Sequence, residues 1–150
     1  MGDDKLVELY RQHRTFQDKY TYFILAAAAS GIALVVNNTQ DEVISLTMIP
    51  LAAAVICWGF SFYYGCRHLN YVSSNLYANI DLLKVERGIH PDVGQHPEKM
   101  IAASQGIRQA FENNSDKASK LAINQFNLLI SGAIFYLIWH TIEMVVRTIK

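Results

Sequence analysis

The sequence predicts an all-α integral membrane protein: three long helices, each crossing a bilayer once, whose cytoplasmic extensions form a helical bundle. Three observations carry that expectation. The 150-residue chain is 51% hydrophobic and 17% charged, more apolar and less charged than an ordinary soluble domain. Its apolar residues gather in three runs, Tyr20 to Val36, Val43 to Cys66 and Asn127 to Val146, of 17, 24 and 20 residues. A hydrocarbon core of ~30 Å takes about 20 residues of helix, so each run is long enough to span it. The first two runs hold no charged residue, and the third holds only His140 and Glu143.

The first helix begins before its apolar run. Leu6, Leu9, His13, Phe16 and Tyr20 recur at spacings of 3, 4, 3 and 4, which lines one helix face. One helix is therefore expected from near Asp3 to Val36. Its charged lead and the lack of a small-residue cleavage site after a short apolar region do not read as a removable signal peptide. The NNTQDE stretch that follows sets Thr39 and Glu42 at capping-box spacing, so a tight outer turn and a new helix are expected there. The first two spans then form a hairpin.

Pro50 either bends the second helix or starts its regular part. Beyond Cys66, Leu69, Val72, Leu76, Ile80 and Leu83 keep helical spacing, with Tyr71, Asn75, Ala78, Leu82 and Val85 in a second stripe beside them. The second helix should run from about Val43 to Arg87 and extend ~30 Å into the cytoplasm at 1.5 Å per residue. Gly88 is a helix terminator, and Pro97 with Glu98 suits the first turn of the third helix. That helix should continue past residue 126 into the third span. Its weak point is ENNSDKA, residues 112–118, where Asn, Ser and Asp compete with the helical backbone for hydrogen bonds, so a kink near Asn114 is expected. The chain reads as a single membrane domain over residues 1–150, with spans near 20–36, 43–66 and 127–146 and a cytoplasmic helical hairpin at 67–126. The hairpin followed by a helix, roughly residues 1–87, resembles small bacterial membrane effectors of defence systems of the SLATT type. The third span departs from their two-span pattern, and no functional residue carries over.

Thirteen basic and thirteen acidic residues cancel, and no basic patch points to nucleic acid. Four Lys or Arg precede the first span, seven lie between the second and third, two follow the third, and residues 37–42 have none. The positive-inside rule then puts the N-terminus in the cytoplasm and the C-terminus outside a plasma or inner membrane. Cys57 and Cys66 lie nine residues apart on one expected helix, too far for a bond within it, and they read as packing residues.

Four groups of residues are candidates for function. In the third span Tyr136, His140, Glu143 and Arg147 follow one another at 4, 3 and 4. Ionisable residues at membrane depth usually face a bundle interior or a water-filled cavity, so the stripe reads as a pore lining or proton site. It reads equally as an outer interface, with Glu143 pairing Arg147 at i, i+4 and Trp139 in an aromatic belt. The inner part of the second helix offers Asn70, Asn75, Asn79, Tyr71 and Tyr77, as a polar vestibule or as inter-helix hydrogen bonds that fix register. Small residues, Ala27 and Gly31 in the first span and Gly59 in the second, mark close helix packing.

The fourth group is GIHPDVGQHPE, residues 88–98. His90, Asp92, His96 and Glu98 are donors a divalent ion accepts, but on no established spacing. As a turn, every residue has a backbone reason: Gly88 ends a helix, each His before Pro is extended, Asp92 to Gly94 reverse the chain, and Pro97 starts the next helix. The turn is the expected reading, and no metal or cofactor is implied.

The motifs of phosphate loops, serine hydrolases, zinc proteases and thiol redox centres are missing from the sequence, so no enzyme is expected. Three functions compete. The first is a homo-oligomeric channel, pore or membrane-acting effector gated through the cytoplasmic helices, because three spans are few for a transport path within one chain whereas a ring of copies encloses one. The second is a non-catalytic membrane anchor or accessory subunit that binds a cytosolic protein through residues 67–126. The third is an intramembrane proton-handling protein or enzyme around His140 and Glu143.

Overall fold

The computed structural model describes residues 2–40 and 45–149, and of residues 2–7, 10, 13 and 14 the backbone alone. The chain is all-helical: α1 (Gly2–Asn38), a short 3-10 turn (Leu46–Met48), α2 (Ile49–Glu86) and α3 (Pro97–Ile149). No strand occurs among the described residues. Each α-helix contains a segment long and apolar enough to cross a membrane, within Thr15–Asn38, Leu46–Glu86 and Pro97–Ile149. Leu6, His13, Glu42 and Val43, which figured in the expected helix stripe, capping box and second-helix start, have side chains outside the described residues.

The helix ends follow local chemistry, and three of them correct the sequence expectation. Thr39 does not open the second helix: its amide and its hydroxyl both donate to the Val35 carbonyl, at 3.1 and 2.8 Å. A short β-hydroxyl on the residue just past a helix reaches the last free carbonyls, so Thr39 closes α1. Regular helix resumes at Ile49 rather than near Val43, after Ser45 in an extended conformation (φ −131°, ψ 162°) and the 3-10 turn. Pro50 consequently sits in the first turn of α2, where its missing amide is not required, and it starts the helix instead of bending it.

At the other end, α2 stops as Gly88 takes φ 66°. The Gly88 amide donates to Val85 and the Ile89 amide to Lys84, at 2.9 and 3.0 Å, the pair of bonds of a Schellman cap. The third correction concerns α3, which is unbroken through residues 112–118. Two of the residues expected to disrupt it are engaged on α2: Asn75 donates to the Ser115 hydroxyl at 2.9 Å, and the Asn114 amide reaches the Ser74 hydroxyl at 3.5 Å. A side chain satisfied across the interface no longer competes for its own backbone.

The chain divides into two compact units, Met1–Gly65 with Asn124–Lys150, and Cys66–Ile123. The first is a three-helix unit whose core is Ala28 and Val35 of α1 with Leu51, Ala54 and Trp58 of α2; Leu129, Tyr136 and Trp139 of α3 pack against it. Trp58 is its wedge. A Cβ added at Gly31 would lie 2.9 Å from the indole, and one at Gly132 would lie 2.5 Å from its nitrogen, closer than any real side chain tolerates. The two glycines thus admit a bulky ring between α1 and α3, and the indole N–H donates to the Leu129 carbonyl at 3.2 Å. One turn along, the fully buried Ser61 hydroxyl donates to the Gln125 carbonyl at 2.8 Å. Gly65 lies directly against the Gln125 amide and Leu25.

Of the small residues singled out from sequence, Gly31 makes a close approach and Ala27 is half-buried, while Gly59 faces open space with nothing near its Cβ position. Gly59 thus packs against nothing among the described residues, because it points away from both neighbours of α2.

The second unit is an antiparallel hairpin of α2 and α3 crossed by several polar contacts. His68 Nδ1 lies 2.9 Å from the Ala118 carbonyl; a carbonyl only accepts, so the imidazole carries its hydrogen on Nδ1. The Asn75–Ser115 bond follows, and Arg108 pairs with Glu86 at 2.9 Å near the closed end. Val85 and Ala118 are the buried apolar residues.

Candidate functional site

The polar stripe of α3 is assembled by helix geometry, since positions 136, 140, 143 and 147 fall on one face. Tyr136 joins that face to the core. Its ring centroid is 5.9 Å from Trp58 and 5.6 Å from Trp139, both tilted, and 6.5 Å from His140 with the two planes within 5° of parallel. Trp139 completes the cluster, 6.4 Å from His140. Aromatic rings at such separations contribute beyond their buried area, so Tyr136 and Trp139, backed by Trp58, give the His140 ring a surface to pack on.

The stripe changes character along its length. Tyr136 is half-buried, His140 is exposed, and Glu143 accepts a hydrogen bond from Arg147 Nε at 3.1 Å. The carboxylate is the better-covered partner, with 24% of its side chain exposed against 67% for Arg147. Trp139 packs inward on the chain. Its ring packs against the Trp58 cluster, and its buried indole N–H has no hydrogen-bond partner among the described residues. The reason is the proximity of Tyr136, which draws the residue three positions on toward the same groove.

Chemically, the arrangement presents one imidazole on the surface of a single chain and one carboxylate already engaged by a guanidinium. The centre of the three-helix unit is filled by Ala28, Ala54 and Trp58, each 6% exposed or less. A polar path along His140 therefore has to run outside this bundle rather than through it.

The polar residues of α2 split into two groups. Asn75 makes an inter-helix bond, with its own carbonyl oxygen buried and unpartnered among the described residues. Asn70, Asn79 and Tyr77 are exposed and bond nothing across the hairpin among the described residues. Residues the sequence reading did not single out do more: Trp58, Ser61, His68, Gly132 and Gln125 organise the helix contacts. A signal for some of them exists, because Ala54, Ser61, His68 and Asn75 recur every seven residues, the repeat of a face that stays against a neighbouring helix.

GIHPDVGQHPE is a turn. The Val93 and Gly94 amides donate to the His90 carbonyl at 3.3 and 2.9 Å, Gly94 takes φ 59°, and the His96 carbonyl accepts the Met100 amide at the start of α3. His90 Nδ1 accepts the Asp92 amide at 3.3 Å, so one ring nitrogen is used by the turn itself. Among the described residues no group of three His, Cys, Asp or Glu is placed to hold a metal ion. Neither a family model, nor a curated protein, nor a solved structure is significantly similar to this chain.

Proposed function

We propose that the chain is an integral membrane protein of three spans, with a cytoplasmic N-terminus, which works as a homo-oligomeric channel or pore gated through the cytoplasmic hairpin of α2 and α3. The observation that carries this reading is the exposure of His140 on the least buried helix. Only 11% of the apolar window of α3 is buried within the chain, against 28% for α1 and 22% for α2. An exposed imidazole beside a Glu–Arg pair is costly against lipid tails, and such groups face a protein interior or water instead. Copies arranged with α3 toward a common axis would supply that water-lined surface. The tight Trp58 core supports the same geometry, since it leaves no room for a path inside one chain.

The test is purified protein in nanodiscs, sized by native mass spectrometry, together with ion flux in liposomes. A ring of copies, and flux altered severalfold by His140→Ala or Glu143→Ala, is the expected result. A strictly monomeric protein, or flux unchanged in both variants, overturns it.

A second reading has its own support. Leu76, Ile80 and Leu83 stand at helical spacing on α2 and are each 40% or more exposed, with Tyr77 beside them. An apolar stripe of that kind suits a helix-in-groove contact, as an anchor or accessory subunit would use. Capture of a defined partner that is lost in Leu76→Asp with Ile80→Asp would favour it over the channel.

A further inference from the structure

Tyr71 lies between two cations that come from different helices of the second unit. The Arg67 guanidinium is 5.7 Å from its ring centroid and Lys117 Nζ is 5.9 Å from it, and Arg67 Nη2 donates to the Tyr71 hydroxyl at 3.4 Å. Among the described residues neither cation is in an ion pair, and the adjacent Asp116 pairs with neither. Arg11, Lys84, Arg108 and Arg147 each have a carboxylate, and the cations Lys19, Arg87, Lys99 and Lys120, which also have none among the described residues, have no ring to gather on either. Two cations on one ring make a local concentration of positive charge that an anion complements.

The sequence places this cluster at particular points on both helices. Arg67 is the first charged residue after the stretch Val43 to Cys66, and Lys117 and Lys120 are the last before Leu121 to Ile142, which holds no Asp, Glu, Lys or Arg. Where a chain leaves the hydrocarbon, basic and tyrosine side chains meet phosphate headgroups, and basic pockets between spans select anionic ones. A phosphate diester fits the donors present: its free oxygens accept two parallel bonds from a guanidinium and a point charge from an ammonium, and the Tyr71 O–H, which accepts from Arg67, still has its own hydrogen to donate.

We infer that Arg67, Tyr71 and Lys117 form a binding site for the phosphate diester of an anionic lipid at the level where α2 and α3 leave the hydrocarbon on the cytoplasmic side. The site rests on the membrane reading above, and alkaline carbonate extraction of the full chain from membranes tests that premise separately. The site itself is tested in nanodiscs of phosphatidylcholine with or without phosphatidylglycerol, reading the thermal unfolding midpoint and, by native mass spectrometry, the phosphatidylglycerol retained per chain. The wild type is expected to gain several degrees from phosphatidylglycerol and to retain bound lipid. Arg67→Gln with Lys117→Gln should lose most of that gain and hold the lipid at least about tenfold more weakly, while Lys84→Gln with Lys99→Gln, the same change of charge elsewhere, keeps both. Arg67→Lys with Lys117 intact should recover part of the response, separating charge from folding. Equal responses of the two double variants overturn the site, as does an equal gain from inorganic phosphate in pure phosphatidylcholine discs. Release of the chain by carbonate overturns the premise and the site together; retention with no discrimination between variants overturns the site alone.

Discussion

The two units of this chain share the helices α2 and α3, with α1 joining them in the first, yet the contacts that stand out in each differ in kind. In the three-helix unit the contact is steric: one indole is set against Gly31 and Gly132, with Ala28 and Ala54 completely buried beside it. In the hairpin unit Val85 and Ala118 are buried, and bonds from His68, Asn75, Ser74 and Glu86 to partners on α3 add a polar ladder that runs along the contact. The difference matches what surrounds each unit in the proposed membrane reading. Between helices in lipid the hydrophobic effect gives no drive, and close packing through small residues replaces it. In water, apolar burial is available, and polar pairs add register to it.

The contrast is open to direct test by reversible unfolding in detergent. The largest expected effect is Trp58→Ala, which removes the wedge of the steric unit and should cost about 3–5 kcal/mol; a loss under about 1 kcal/mol would break the steric account. Next comes Gly132→Val, which forces a branched side chain against the indole and should cost about 1–3 kcal/mol or more. Gly59→Ala is its counterpart, because nothing lies near that position, and it should stabilise the helix by up to about 1 kcal/mol. If Gly59→Ala instead destabilises the assembly while leaving the monomer intact, Gly59 packs between copies, which would sharpen the oligomeric reading.

In the polar unit the effects are smaller. Asn75→Ala removes one inter-helix bond and should cost about 1 kcal/mol, visible as faster amide hydrogen exchange near Asn75 and Ser115 and not around Trp58. Arg108→Gln should change stability by no more than about 0.5 kcal/mol, since both side chains of that ion pair are well exposed. A hairpin loss larger than the Trp58→Ala loss would reverse the comparison.

Much of the candidate site was legible before any coordinates. The 4, 3, 4 spacing of Tyr136, His140, Glu143 and Arg147 is a helix property, and the Glu143–Arg147 pair follows from it. What spacing does not carry is the side of the stripe that meets the core: Tyr136 and Trp139 turn inward and His140 outward because Trp58 is there to receive the first two. The same holds for Asn75. Its amide was one of several in a polar segment, and its register against Ser115 separates it from Asn70 and Asn79.

By itself, the sequence determined the helical architecture, the three apolar segments and the turn at GIHPDVGQHPE, because each depends on local backbone sterics or on apolar runs of a given length. The tertiary structure decided where Thr39 spends its hydroxyl, why α3 passes unbroken through ENNSDKA, which glycines receive Trp58, and that Arg67 and Lys117 share one tyrosine. Those outcomes depend on groups on different helices, 27 or more residues apart in the chain, or on competing hydrogen-bond partners. A periodic pattern names the face a residue occupies, and the partner on the opposing helix then settles its role.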